Sequence, residues 1–332
     1  MGQKVAYPSM SSPPSDADEG VVRVSDLRKT YGETVAVDGV SFDIRAEEVF
    51  ALVGPNGAGK TTTVEMLECL RTPTAGSATV LGRDLRTDSR AIKADIGVVP
   101  QSFHTFDRLT VRENVALVRR LYDEGHAVDA ILEELDLTEW AGTPFDSLSG
   151  GLKRRTGMAM ALVSDPTVLF LDEPTTGLDP DARRRTWEQI EGLADHGTTV
   201  VLTTHYMEEV ERLADRAALL LDGRIEAIDT VPNLIERYGG AIKVVVRRGG
   251  TDSEPETDES VRPILEDAAT EVYHTESGDL VGLFEDRDRA QETYSRLHQE
   301  GNGRAIDLIS AGMEDVFLRL AGGTPDARGD LQ

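Results

Sequence analysis

The stretch Gly54-Pro55-Asn56-Gly57-Ala58-Gly59-Lys60-Thr61 constrains this chain more than any other, because it fits the phosphate-loop pattern G-x-x-x-x-G-K-[ST] at every fixed position. Its flanks are the ones the chemistry needs. Val49-Phe50-Ala51-Leu52-Val53 before it reads as a buried strand, and Thr62 to Leu70 after it carries Met66, Leu67 and Leu70 at helical spacing. The loop glycines let backbone N–H groups approach phosphate oxygens closely. The new helix aims its free N–H groups and positive dipole end at the same anion. Lys60 is then placed to reach β- and γ-phosphates, and the Thr61 hydroxyl to ligate Mg²⁺, with Thr62 next in the same turn. A chain with this loop binds a nucleoside triphosphate.

A second set of residues surrounds that loop in sequence. Tyr31 precedes it at a strand end, where an aromatic either packs locally or stacks on a nucleotide base. Ile96 to Val99 reads as a strand closed by Pro100 and Gln101. Thr110-Val111-Arg112-Glu113 has the capping-box form and starts a helix expected to run to about Glu124. Val128, Ile131, Leu132 and Leu135 stripe the next helix, so residues from about 103 to 165 read as a helical insertion between strands. Ser149 caps a further helix, and Gly150 and Gly151 let a ligand approach its first turn, which makes a second anion site or a flexible structural cap. Val168 to Leu171 is a buried strand ending in Asp172 and Glu173; the first suits a metal beside Thr61, the second a base that polarises water. Asp179-Pro180 starts another helix, and His205 ends a strand from Thr198 to Thr204, where ligands of open α/β sheets sit.

Charge and composition narrow the partners. The formal net charge is −25, and lysine occurs only at positions 4, 29, 60, 93, 153 and 243, so 29 of the 35 basic residues are arginine. Such an acidic surface, of the halophile type, repels nucleic acid and anionic lipid headgroups. Cys69 is the one cysteine, which excludes an internal disulfide, and the six histidines lack metal-ligand spacing. No apolar run approaches the roughly 20 residues of a membrane span. A role at a membrane therefore comes through another polypeptide, without direct lipid insertion. Residues 1–20 read as a disordered lead-in without a signal core, and 323–332 as a flexible tail.

Taken together, Tyr31, the loop 54–61, Gln101, Leu148-Ser149-Gly150-Gly151, Leu169 to Glu173, Gly177-Leu178-Asp179 and His205 resemble an ATP-binding-cassette ATPase in order and spacing. The resemblance covers about residues 21 to 240, and Leu-Ser-Gly-Gly is its specific part. It implies a phosphate-loop α/β cassette with a helical subdomain, binding ATP and Mg²⁺ and dimerising head to tail. ATP would lie between one cassette's loop and the Ser149-Gly150-Gly151 turn of the other. The resemblance makes Tyr31 the base-stacking aromatic, and Gln101 a sensor of Mg²⁺ and of the attacking water. It makes Asp172 the metal-linked aspartate, Glu173 the catalytic base, Asp179 the dimer contact and His205 the γ-phosphate switch. Leu152 stands where the family most often has Gln. With Lys153-Arg154-Arg155, this variant resembles the drug-export type.

Beyond Gly240 the pattern changes to a strand at Ile242 to Val246, an acidic loop at 249–260, and then helix, two strands, helix and strand. That βαββαβ order predicts a small ferredoxin-like α+β domain over 241–322. Every nucleotide motif precedes residue 240, so the cassette is expected to be separable from it. The closing Met313 to Leu320 resembles the end of single-cassette drug and polymer exporters, with Val316, Phe317 and Leu320 on one helical face. The expected function is the ATPase subunit of an exporter, peripheral at the cytoplasmic face of the cell membrane. Its expected partners are a separate transmembrane permease and a second cassette, identical or not. An importer ATPase is the nearest alternative. A soluble cassette of translation or DNA repair fits less well, because there is one phosphate loop and no sustained heptad between Lys60 and Asp172. A phosphate-loop kinase or GTPase has no use for the Ser149 turn.

Overall fold

A computed structural model of the chain describes residues 20–102, 105–239, 242–247, 261–275, 278–300 and 305–321. The anticipated lead-in up to residue 19, the acidic loop and the tail from 323 lie outside the described residues.

Strands β1 (Val22–Tyr31) and β2 (Thr34–Ile44) pair antiparallel. An Asp-Gly pair usually turns the chain, yet β2 runs through Asp38-Gly39, with the register shifting between Val40 and Asp38 as a bulge. β3 (Val49–Val53) enters the phosphate loop, and α1 (Lys60–Leu67) leaves it. The helix stops short of the expected Leu70. Cys69 is left-handed at φ 58, Leu70 N–H donates to Glu65 O at 2.8 Å, and Cys69 N–H to Met66 O at 3.0 Å. That is the Schellman closure, and it leaves Leu70 outside the helix and exposed.

β4 (Ala75–Val80), β5 (Arg83–Asp84), α2 (Ser89–Asp95) and β6 (Ile96–Val99) follow. The helical insertion holds α3 (Val111–Arg119), α4 (Val128–Glu134) and α5 (Gly150–Leu162). Thr110 and Glu113 close the expected capping box on α3. The helix ends at Arg119 rather than near Glu124, because the Arg119 guanidinium turns to the carbonyls of Tyr122 (2.8 Å) and His126 (3.2 Å) in the next loop. β7 (Val168–Asp172), α6 (Pro180–Asp195), β8 (Thr199–Thr204), α7 (Met207–Leu213), β9 (Arg216–Leu221), β10 (Arg224–Thr230) and α8 (Val231–Leu234) complete the cassette, followed by a π turn at Ile235–Gly239.

The six-stranded sheet has the order β10-β9-β3-β8-β7-β6, parallel except for β10. β3, β7 and β8 are buried along their whole length, as parallel strands covered on both faces must be. Alternate residues serve different cores. Ala51, Leu169, Leu171 and Leu202 face the helices, whereas Phe50, Phe170 and Val201 face the antiparallel sheet β2-β1-β4-β5.

β11 (Ile242–Val246), α9 (Arg262–Ala268), β12 (Glu271–His274), β13 (Leu280–Phe284), α10 (Arg287–Glu300) and β14 (Ile306–Ser310) follow the βαββαβ order, in an antiparallel sheet β12-β13-β11-β14. The last helix, α11 (Met313–Ala321), leaves that sheet. Met313, Val316 and Phe317 belong to the cassette's helical-side core, beside Ile235 and Tyr238. Sequence had the inward face right but not the core it enters.

Candidate nucleotide site

The phosphate loop is held open by backbone contacts. Gly59, the residue before α1, has φ 101, and a Cβ there would lie 2.3 Å from Ala36 O. A Cβ on Gly54 would lie 2.1 Å from Leu220 O. Only glycine fits either position. The tip Asn56-Gly57 is exposed, while Lys60 is buried beneath it, its Nζ donating to Gly54 O at 2.7 Å and Pro55 O at 3.0 Å. These carbonyls hold the ammonium at the loop that phosphates would occupy.

Three parallel strands end around this loop. Asp172 ends β7 and Thr61 is the second residue of α1, with Thr61 Oγ1 donating to the two carboxylate oxygens at 3.3 and 3.4 Å. These are hard oxygen donors of the kind Mg²⁺ takes. Among the described residues no group of three or more His, Cys, Asp and Glu could hold a metal by itself. A cation here would need ligands from the nucleotide, which is how Mg²⁺ is usually held in phosphoryl-transfer sites.

Glu173, next along, has left-handed backbone at φ 44 and is 9% exposed. Its carboxylate accepts from Gln101 Nε2 at 2.8 Å, Thr176 Oγ1 at 3.0 Å and His205 Nδ1 at 3.2 Å. The His205 hydrogen bond is the main cause that lowers its pKa, against the opposing effect of burial. Gln101, Asp172, Glu173, His205, Lys60 and Thr61 thus converge. Tyr31 stands at the end of β1, 42% exposed, with Lys29 Nζ and the Arg71 guanidinium over its ring at 5.2 and 5.6 Å.

Ser149 caps α5, accepting from Leu152 N–H at 3.4 Å, and Asp179 caps α6, accepting from Ala182 N–H at 2.9 Å. Both line a cavity of about 290 Å³ with Trp140, Gly151, Arg155 and Arg185.

Four residues of the site had no sequence signal strong enough to single them out. Thr203 Oγ1 donates to Asp172 Oδ1 and accepts from Glu173 N–H at 3.1 Å. Arg154, buried, bonds the carbonyls of Pro100 and Asp172. Glu209 is wholly buried, accepting from Thr175 Oγ1 and Trp187 Nε1. Glu68 is 5% exposed, and burial, reinforced by the charges of Asp172 and Glu65, pushes its pKa up to about 7. Only the Thr203-Thr204 pair, at the end of a buried strand before His205, offered a local hint.

Comparison with known proteins agrees with this geometry. The sequence pattern of the ABC transporter family matches residues 37–176. A Nod factor export ATP-binding protein I from Paraburkholderia xenovorans is 40% identical over 309 residues, covering 92% of this chain and 98% of its own. One of the same name from Rhizobium sp. (strain N33) is 38% identical over 307 residues, covering 91% and 97%. Both are export proteins, and the importer alternative finds no counterpart in them. Among solved structures, a dimeric ATP-binding cassette in a post-hydrolysis state with ADP and Pi superposes with TM-score 0.58 at 28% identity, over 63% of this chain and 98% of that one.

Proposed function

This chain belongs to the ABC transporter family, and from that membership we propose that it is the ATP-hydrolysing subunit of an exporter, driving transport through a separate membrane permease. The observation that carries this reading is the convergence of Gln101, Thr176 and His205 on the Glu173 carboxylate beside the phosphate loop.

ATP enters with its triphosphate over Gly54 to Thr62, and Lys60 exchanges the carbonyls of Gly54 and Pro55 for β- and γ-phosphate oxygens. Tyr31 stacks on the base. Thr61, Asp172 and Gln101 would hold Mg²⁺, which when bound neutralises charge on the β- and γ-phosphates. The Ser149-Gly150-Gly151 turn of a partner cassette, identical or related, closes over the γ-phosphate, with Asp179 at the contact. Closure excludes bulk water and leaves one water for Glu173 to deprotonate, with Gln101 and His205 orienting the carboxylate and the γ-phosphate.

The cassette spans 21–240 and the accessory domain 241–322, with α11 returning to the cassette. No helix among the described residues is long and apolar enough to cross a membrane. A peripheral place on the cytoplasmic face therefore depends on the permease. Phe106, Leu117 and Leu121, exposed on and beside α3, offer an apolar strip for a permease helix. Cargo selection belongs to the permease.

The test is direct. The full chain should hydrolyse ATP, Lys60→Ala should fall to background with an unchanged circular dichroism spectrum, and a membrane protein encoded beside it should co-purify and stimulate turnover. Wild-type turnover by Lys60→Ala would overturn the site assignment. A neighbouring solute-binding protein joining the complex would favour import.

A further inference from the structure

Arg154 lies one turn into α5, the helix that begins at the Ser149 turn, and it is only 6% exposed. Its Nη1 donates to Pro100 O at 2.6 Å and Gln101 O at 3.4 Å, and its Nη2 to Asp172 O at 2.8 Å. β6 and β7 are neighbours in register, Val99 against Leu171, so these carbonyls lie just where the β6–β7 ladder ends. One guanidinium thus closes the carboxyl ends of both strands. From those ends spring Gln101 and Glu173, whose side chains meet at 2.8 Å.

The surroundings make this a demanding place for a cation. Burial lowers the Arg154 pKa to about 10, opposed by the charges of Asp172, Glu209 and Glu173, so it stays protonated at neutral pH. Its Nε has no hydrogen-bond partner, and neither has Oε2 of the wholly buried Glu209 on α7, which also fixes Thr175 and Trp187. A methionine of similar length would fill the space at lower desolvation cost. The guanidinium instead touches the backbone of both strand ends.

We infer that Arg154 is a positioning residue for ATP cleavage: through Pro100, Gln101 and Asp172 it sets the spacing of Gln101 and Glu173 within its own subunit, and ties that spacing to the orientation of α5. The inference rests on the ATPase reading above. Ser149, at the start of the same helix, would serve the partner's nucleotide, so α5 links the two sites of a dimer. Arg154 touches no part of the phosphate loop. Its loss should spare ATP binding and slow the chemical step.

The experiment uses the full chain as Arg154→Met, Arg154→Ala and Arg154→Lys. Arg154→Met should lower kcat by up to about 10²-fold, the scale of a 1 Å misplacement of reacting groups, with KM for ATP nearly unchanged. Added methylguanidinium should restore turnover to Arg154→Ala, which leaves a hole, and not to Arg154→Met, which fills it. Arg154→Lys, able to serve one strand end at a time, should fall between Met and wild type. A folded Arg154→Met with wild-type kcat, or one whose KM rises as much as its kcat falls, overturns the inference. So does an Arg154→Ala that methylguanidinium leaves unrestored although folded, or failure of all three to fold, which would make Arg154 a folding residue. Absence of turnover in the wild-type chain would instead overturn the ATPase reading, and this inference with it.

Discussion

His205 Nδ1 lies 3.2 Å from Oε1 of Glu173, and because an ionised carboxylate only accepts, the imidazole is the donor. That hydrogen bond outweighs burial and holds the Glu173 pKa below the ordinary 4.5. A carboxylate anchored in this way is ionised throughout the neutral range. It is also aimed, because Gln101 and Thr176 hold its other oxygen.

Glu173→Gln keeps the size and removes the charge, so water is no longer polarised. Hydrolysis should fall by about 10²-fold or more, the usual worth of a positioned base, while ATP is still bound. The variant should dimerise with ATP and not with ADP, and a bulky residue at Ser149 should abolish the dimer. Light scattering at high salt, which screens the −25 self-repulsion, reads this out. A Glu173→Gln protein that binds ATP and stays monomeric counts against the sandwich.

The histidine contact has a pH signature. With a lowered pKa on Glu173, the acid limb of kcat belongs below the ordinary glutamate value. His205→Ala removes the main lowering cause and leaves burial, which raises the pKa. The acid limb should therefore move to higher pH, and a pH–rate profile of residual turnover with the limb unmoved would show that the base is set elsewhere.

Glu68 carries the opposite shift. Its folded pKa, pushed from 4.5 to about 7, means that the folded state keeps a proton the unfolded state releases between those values. Stability is therefore lost as pH rises through that window. Glu68→Gln should match wild type at about pH 4 and exceed it at about pH 8 by on the order of 2–3 kcal/mol. Urea titrations in EDTA measure this, and equal midpoints at both pH values would contradict it.

The helix α11 makes a prediction that differs from the sequence-based expectation of a separable cassette. Phe317, 3% exposed, packs in the cassette core, so Phe317→Ala should cost about 3–5 kcal/mol. A protein ending at Gly239 should melt lower than the full chain, because Ile235 and Tyr238 lose their cover. Equal melting temperatures would show that α11 adds nothing to the cassette.

The phosphate loop, the Ser149 turn, Asp172-Glu173 and the cap at Asp179 were legible because each is a short string at a strand or helix end, with its chemistry written locally. Arg154 was not. Its partners are 54 and 18 residues away, and a basic residue in a Lys-Arg-Arg run reads as solvated surface until the fold buries it. Thr203 and Glu209 act likewise through residues 31 and 34 positions distant. The bulge at Gly39 and the early stop of α1 at Cys69 were lost for a different reason: both depend on backbone φ values that the residue types alone do not fix. The face of α11 was readable from periodicity, but periodicity carries no address for the core it enters.

That address matters for how the protein is made. α11 is joined to the cassette by more than packing, since Met313 N–H donates to Glu211 on α7, and it is tied to the C-terminal sheet as well, where Asp315, 1% exposed, binds Lys243 Nζ at 2.6 Å and the Tyr273 hydroxyl at 2.7 Å. A ribosome reading this message therefore translates every nucleotide motif before it translates the helix that covers Ile235 and Tyr238. Until Phe317 has been synthesised and has left the exit tunnel, the cassette keeps an open seam. A prematurely terminated chain would have the parts of an ATPase and an uncovered apolar surface at Ile235 and Tyr238, where α11 packs in the full chain.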